Sequence, residues 1–74
     1  MQITVKLFAS FRTGRFEIET RDVPNGTTVA ELSDSLNLPH SELGIMLINH
    51  RHVKLDHIIL EGDTVALFPL LGGG

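Results

Sequence analysis

Apolar and polar positions alternate with period two at the start of the chain, where Ile3, Val5 and Leu7 are interleaved with Thr4, Lys6 and Phe8. That spacing predicts a β-strand with one covered face. A turn-rich stretch from Ala9 to Gly14 follows. Phe16, Ile18 and Thr20 then alternate with Glu17, Glu19 and Arg21, which predicts a second, antiparallel strand with its charged side in water. Asp22-Val23-Pro24-Asn25-Gly26 reads as a turn, because proline blocks the strand and Asn-Gly tolerates positive φ. Thr28-Val29-Ala30-Glu31 has the form of a capping box that opens a helix. Val29, Leu32 and Leu36 share one face of that helix, Asp34 and Ser35 lie away from it, and Pro39 is expected to end it. One further helical turn is expected at Ser41-Glu42-Leu43. After Gly44 comes a third strand, Ile45 to Ile48, apolar on both sides. Asn49-His50 falls where a tight turn belongs, and Arg51-His52-Val53 leads back as a short fourth strand. Leu60-Glu61-Gly62-Asp63 turns into a last strand, Thr64 to Phe68, which Pro69 is expected to stop because it has no N–H to donate. The order β-β-α-β-β-β, with one amphipathic helix to cover one sheet face, predicts an α+β roll of two layers.

Composition narrows the chemistry. The chain has 74 residues, of which 42% are hydrophobic, so one small folded domain is expected. It has no cysteine, which excludes a disulfide framework, a zinc ribbon and a cysteine nucleophile. A net charge of −3 argues against a nucleic-acid partner. The apolar runs Ile45–Ile48 and Val65–Phe68 are far shorter than the ~20 residues that cross a bilayer. The amino-terminal residues lack the basic-then-apolar layout of a signal peptide, so no membrane association and a cytoplasmic location are expected.

Other chemistries fit the residues poorly. His50 and His52 share a strand face and His57 is close in sequence, but even with Asp56 the set has no characteristic zinc spacing, so no metal site is expected. Glu17 and Glu19 read as a solvated strand face, and Arg12, Arg15 and Arg21 form no phosphate-binding stripe. Ser10, Ser33, Ser35 and Ser41 have no histidine at a recognisable motif spacing, so a hydrolase is not expected.

The remaining candidate is the tail. Residues 1–69 are expected to form the domain, and 70–74, Leu70-Leu71-Gly72-Gly73-Gly74, a flexible appendage. From Pro69 to Gly74 the backbone can reach about 20 Å at ~3.3 Å per residue. Gly72 and Gly73 carry no Cβ, so the backbone can pass through a narrow channel and approach a nucleotide closely. The reactive group is then the carboxylate of Gly74. Strand alternation that turns Ile3, Val5 and Leu7 toward the helix turns Phe8 to the other face, and sets Phe68 opposite Leu67. Either Met46 and Ile48 or Ile45 and Leu47 join them, which predicts an apolar patch at the root of the tail. Phe8, Phe68, Pro69, Leu70 and Leu71 are the expected partner contacts, with aromatic anchors at the centre.

Several segments together resemble one family over the whole length: Phe8-Ala9-Ser10-Phe11-Arg12, Gly26-Thr27-Thr28-Val29-Ala30-Glu31-Leu32, Leu47-Ile48-Asn49, Leu60-Glu61-Gly62-Asp63-Thr64-Val65-Ala66-Leu67-Phe68-Pro69, and the final glycines. The chain resembles the β-grasp (ubiquitin-like) sulfur carriers, the small subunit of molybdopterin synthase and its thiamine-pathway relative. The resemblance implies a β-grasp roll, a mixed sheet of four to five strands with one main helix on one face. It implies a co-substrate with no catalytic residues and no bound cofactor. An E1-like enzyme would use Mg-ATP to adenylate Gly74, and a sulfur donor protein would convert it to a thiocarboxylate. The large subunit of a synthase would then take the sulfur into a cofactor precursor, molybdopterin first and thiamine second. It also turns Phe8 and Phe68 toward the activating enzyme and the synthase. Departures from the family pattern are Leu70 where a second proline is usual, a third glycine, and His50 where glycine often follows Asn49. Two alternatives share the sequence features: a ubiquitin-like modifier joined to lysines through Gly74, and a plain interaction module.

Overall fold

A computed structural model describes residues 1–71. Its elements are β1 (Gln2–Leu7), β2 (Ile18–Asp22), α1 (Val29–Ser35), β3 (Leu43–Ile48), β4 (Arg51–His52) and β5 (Thr64–Pro69), with 3-10 turns at Ala9–Arg12 and His40–Glu42. The five strands form one sheet in the order β2-β1-β5-β3-β4. β1 and β5 pair in parallel, with Val5 beside Val65 and Leu7 beside Leu67, and the other pairs are antiparallel. The helix covers one face of this mixed sheet, and the fold is the β-grasp roll expected from the sequence.

The core follows from the alternation. Ile3, Val5 and Leu7 of β1, and Val65 and Leu67 of β5, point at Val29 and Leu32 of α1, and all are buried. Ile59 joins them from the irregular segment before β5, where its N–H donates to the Thr27 carbonyl at 2.9 Å. Phe11, in the turn after β1, plugs the same core. Ser33 is fully buried, yet its hydroxyl donates to the Val29 carbonyl at 2.9 Å, so no polar atom is left orphaned there.

The capping box forms as expected. The Thr28 hydroxyl oxygen accepts from the Glu31 N–H at 3.2 Å and a Glu31 carboxylate oxygen accepts from the Thr28 N–H at 3.0 Å. The helix stop differs from expectation: α1 ends at Ser35, before Pro39 can act. Asn37 takes φ 57°, the Leu38 N–H donates to Ser33 and the Asn37 N–H to Asp34, the pattern of a Schellman stop. Arg15 reinforces it, donating to the Leu36 carbonyl at 3.0 Å and the Asn37 carbonyl at 3.2 Å.

Four strand boundaries also differ, among them the end of β4, which stops at His52 and not at Val53. β2 begins at Ile18 and not at Phe16. β3 begins at Leu43, so Gly44 lies inside the strand, at a bulge between Leu43 and Ile45. Pro69 is the last residue of β5, opposite Leu43, because its carbonyl side and fixed φ still suit a strand end.

Truncating the core tests this packing. Leu32→Ala and Val65→Ala should each cost about 2–4 kcal/mol and lower the thermal midpoint by about 10 °C or more. A melting curve that does not move would remove that residue from the core.

Candidate functional site

The helix leaves the other face of the sheet open, and the chemistry of that face is set by residue parity. Each side chain that follows or precedes a core residue points outward: Lys6 and Phe8 around Leu7, Ala66 and Phe68 around Leu67. Phe8 and Phe68 are both half-buried. They stack with ring centroids 4.0 Å apart and planes 10° from parallel. The Arg12 guanidinium lies 5.3 Å from the Phe8 ring centre and donates through Nε to the Leu7 carbonyl at 2.7 Å, which fixes it over the ring.

Ile45 sits opposite Phe68 and Leu47 opposite Ala66. Of the two pairs the sequence left open, Ile45 and Leu47 therefore join the outer patch, while Met46 and Ile48 turn to the core. The bulge at Gly44 is the cause. It inserts one residue between Leu43 and Ile45, so Leu43 packs inward although Ile45, two residues later, points out. A shallow depression of about 250 Å³ between β1, β5 and β3 is lined by Lys6, Phe8, Leu47 and Phe68, with Asn49 and His50 at its rim.

The root of the tail is built into this face. The Leu70 N–H donates to the Glu42 carbonyl at 2.9 Å, so backbone pairing extends one residue past Pro69. A Cβ at Gly44 would stand 2.7 Å from the Pro69 carbonyl oxygen and 3.0 Å from Leu70 Cα. Glycine is thus required there for close approach of two backbones. Leu70 and Leu71 are 62% and 77% exposed. Pro69, expected among the partner contacts, is buried and pairs with Leu43 at the end of the sheet. Gly72, Gly73 and Gly74 lie outside the described residues.

The turn that carries His50 is pinned from below. Asn49 and His50 have φ of 50° and 71°, as a two-residue hairpin turn of this type requires. The Asn49 side chain accepts from the Thr64 N–H at 3.0 Å and donates to an Asp63 carboxylate oxygen at 3.0 Å. Asp63, expected only to form a turn, is nearly buried and also accepts from the Leu60 N–H at 2.8 Å. This clamp joins residues 14 apart, and no local pattern announces it. Glu17 and Glu19 are exposed and ion-paired to Arg12 at 3.4 Å and Arg21 at 2.9 Å. His50, His52 and His57 are exposed, and among the described residues no three metal-ligating side chains cluster. Among these residues, too, no helix is long and apolar enough to cross a membrane. The arrangement is a flat, apolar, aromatic-centred face beside the root of the tail, suited to holding another protein.

A family profile described as the ThiS family matches residues 5–74. The chain belongs to the ThiS family. Solved structures extend the likeness. This ThiS-family chain is similar to SAMP1 from Haloferax volcanii, with 27% identity over the whole of both chains and a TM-score of 0.76. It is similar to a putative molybdopterin converting factor subunit 1 from Pyrococcus furiosus, at 28% identity and TM-score 0.75, over 93% of this chain and 97% of that one. A complex of subunits 1 and 2 of the molybdopterin-converting factor from Helicobacter pylori contains the same fold, at 18% identity and TM-score 0.66 over the whole of both chains. None of the curated proteins compared matches the chain. The resemblance read from the sequence holds at the level of family: this is a β-grasp protein of the sulfur-carrier and ubiquitin-like group.

Gly44→Ala should separate β3 from the tail root and destabilise the fold by about 1–3 kcal/mol, the usual cost of overpacking. Hydrogen exchange at the Leu70 amide reads the local effect. Protection that survives the substitution would show that the two backbones do not need to meet so closely.

Proposed function

We propose that this chain is a sulfur carrier whose Gly74 carboxylate is activated by an E1-like enzyme and converted to a thiocarboxylate. The observation that carries this reading is the ThiS match, which runs from Val5 through Gly74 and so takes in the tail together with the fold. Residues 1–69 serve as the dock and 70–74 as the donor arm. Phe8, Phe68, Leu70 and Leu71 form the contact surface, and Gly72 and Gly73 provide clearance.

The chemistry needs nothing from this chain except the acyl group. A carboxylate oxygen of Gly74 attacks the α-phosphorus of Mg-ATP on the partner, and pyrophosphate leaves. The acyl adenylate then loses AMP to the terminal sulfur of a persulfide on a donor protein. A second thiol resolves the resulting disulfide and frees the thiocarboxylate. Transfer of that sulfur to a cofactor precursor returns the carboxylate, with water supplying the oxygen. We take molybdopterin as the first recipient, supported by the likeness to the Pyrococcus furiosus protein, and thiamine as the second. A synthase large subunit is the receiving partner, by analogy with the Helicobacter pylori complex of two subunits.

A modifier that couples the same activated Gly74 to lysine amines is the second reading, favoured by the full-length likeness to SAMP1. Mass spectrometry of the chain from its own cells separates the two. A terminus heavier by the difference between sulfur and oxygen supports the carrier, and isopeptide conjugates without that species overturn it. Deleting Gly73 and Gly74 should abolish activity and leave the melting temperature unchanged. Activity that survives the deletion would reduce the chain to an interaction module.

A further inference from the structure

Charge is unevenly distributed over the open face of the sheet. The chain has a net charge of −3, yet the depression beside the Phe8–Phe68 stack is lined by Lys6 and His50 and by no carboxylate. The neighbouring hollow has one acid, Glu17, and it is ion-paired to Arg12. Asp22, placed on this face by its pairing with Gln2, lies at the far end and meets the amino terminus at 3.3 Å. Among the described residues no carboxylate pairs with Lys6. The depression therefore has an apolar, aromatic floor bordered by Lys6 on β1 and, beside the start of β5, by His50.

His50 adds a second, independent observation. At φ 71° it occupies the second position of the hairpin turn, where glycine is the unstrained choice. The turn itself is held by Asn49, through Thr64 and Asp63, so the imidazole is not needed to form it. Backbone strain kept at a surface position points to a use for the side chain outside the fold. Its ring carries an N–H donor in either charge state.

We propose that His50 and Lys6 are specificity-determining residues of the docking face, and that they engage carboxylates bordering an apolar surface on the E1-like enzyme. This rests on the reading of the open sheet face as the dock.

The test is ATP–pyrophosphate exchange by the E1-like enzyme of the same organism, with the full chain as varied substrate. His50→Gly should raise the melting temperature, because glycine relieves the turn, and raise KM at least about fivefold with kcat unchanged. Lys6→Glu should raise KM further. Raising salt from about 0.05 M to about 0.3 M should raise the wild-type KM more than that of the double variant His50→Gly, Lys6→Gln, as screening removes the charge contribution. A higher melting temperature with unchanged KM would overturn the role of His50, and a lower melting temperature would overturn the strain argument. Phe68→Ala separates the two levels. If it raises KM while the His50 and Lys6 variants do not, only the charge selectivity fails; if it also leaves KM unchanged, the dock lies elsewhere.

Discussion

The parallel pairing of β1 with β5 is the constraint on which the rest depends. It puts Leu7 beside Leu67, and both point under the helix. The next residue on each strand must then point the other way, so Phe8 and Phe68 meet on the open face. One register thus creates the core and the aromatic stack together. A slip of one residue in either strand would send its own phenylalanine inward and its leucine out, and the stack would be lost. The strand that carries Phe68 also leads into the tail, so only Pro69 separates the aromatic stack from Leu70.

The second constraint is the bulge at Gly44. β3 has to bury Leu43, Met46 or Ile48 on the core side and still present Ile45 and Leu47 outside. Strict alternation cannot do this, because Leu43 and Ile45 have the same parity. The extra residue resolves the conflict, and its lack of a side chain lets Pro69 and Leu70 pass within contact distance. The same glycine that widens the apolar patch therefore fixes where the chain leaves the sheet.

Local physics was readable from residues close in sequence. The alternation of β1, the Thr28–Glu31 capping box and the Asn49-His50 turn all formed where spacing and turn chemistry put them. Phe8 and Phe68 were readable as outward-facing for the same reason. What escaped the sequence were contacts between distant residues. Arg15 braces the helix stop from 21 residues away, Asp63 clamps Asn49 across 14, and Ile59 fills the core from a segment without periodicity. Pro69 was expected to stop the ladder, but β3 reaches far enough for Leu43 to pair with it across a distant part of the chain. The choice between Ile45 and Met46 on the outer face was undecidable locally, since a bulge reverses parity without changing composition.

Under the proposed function, the activating partner sits on the sheet face opposite the helix. Amide chemical-shift mapping of the isotope-labelled chain, titrated with its E1-like enzyme, addresses that claim directly. Perturbations should gather at Lys6 to Phe8, Ile45 to Leu47 and Ala66 to Leu71, with Val29–Ser35 of the helix unmoved. A footprint on the helix, with the aromatic stack left untouched, would contradict it.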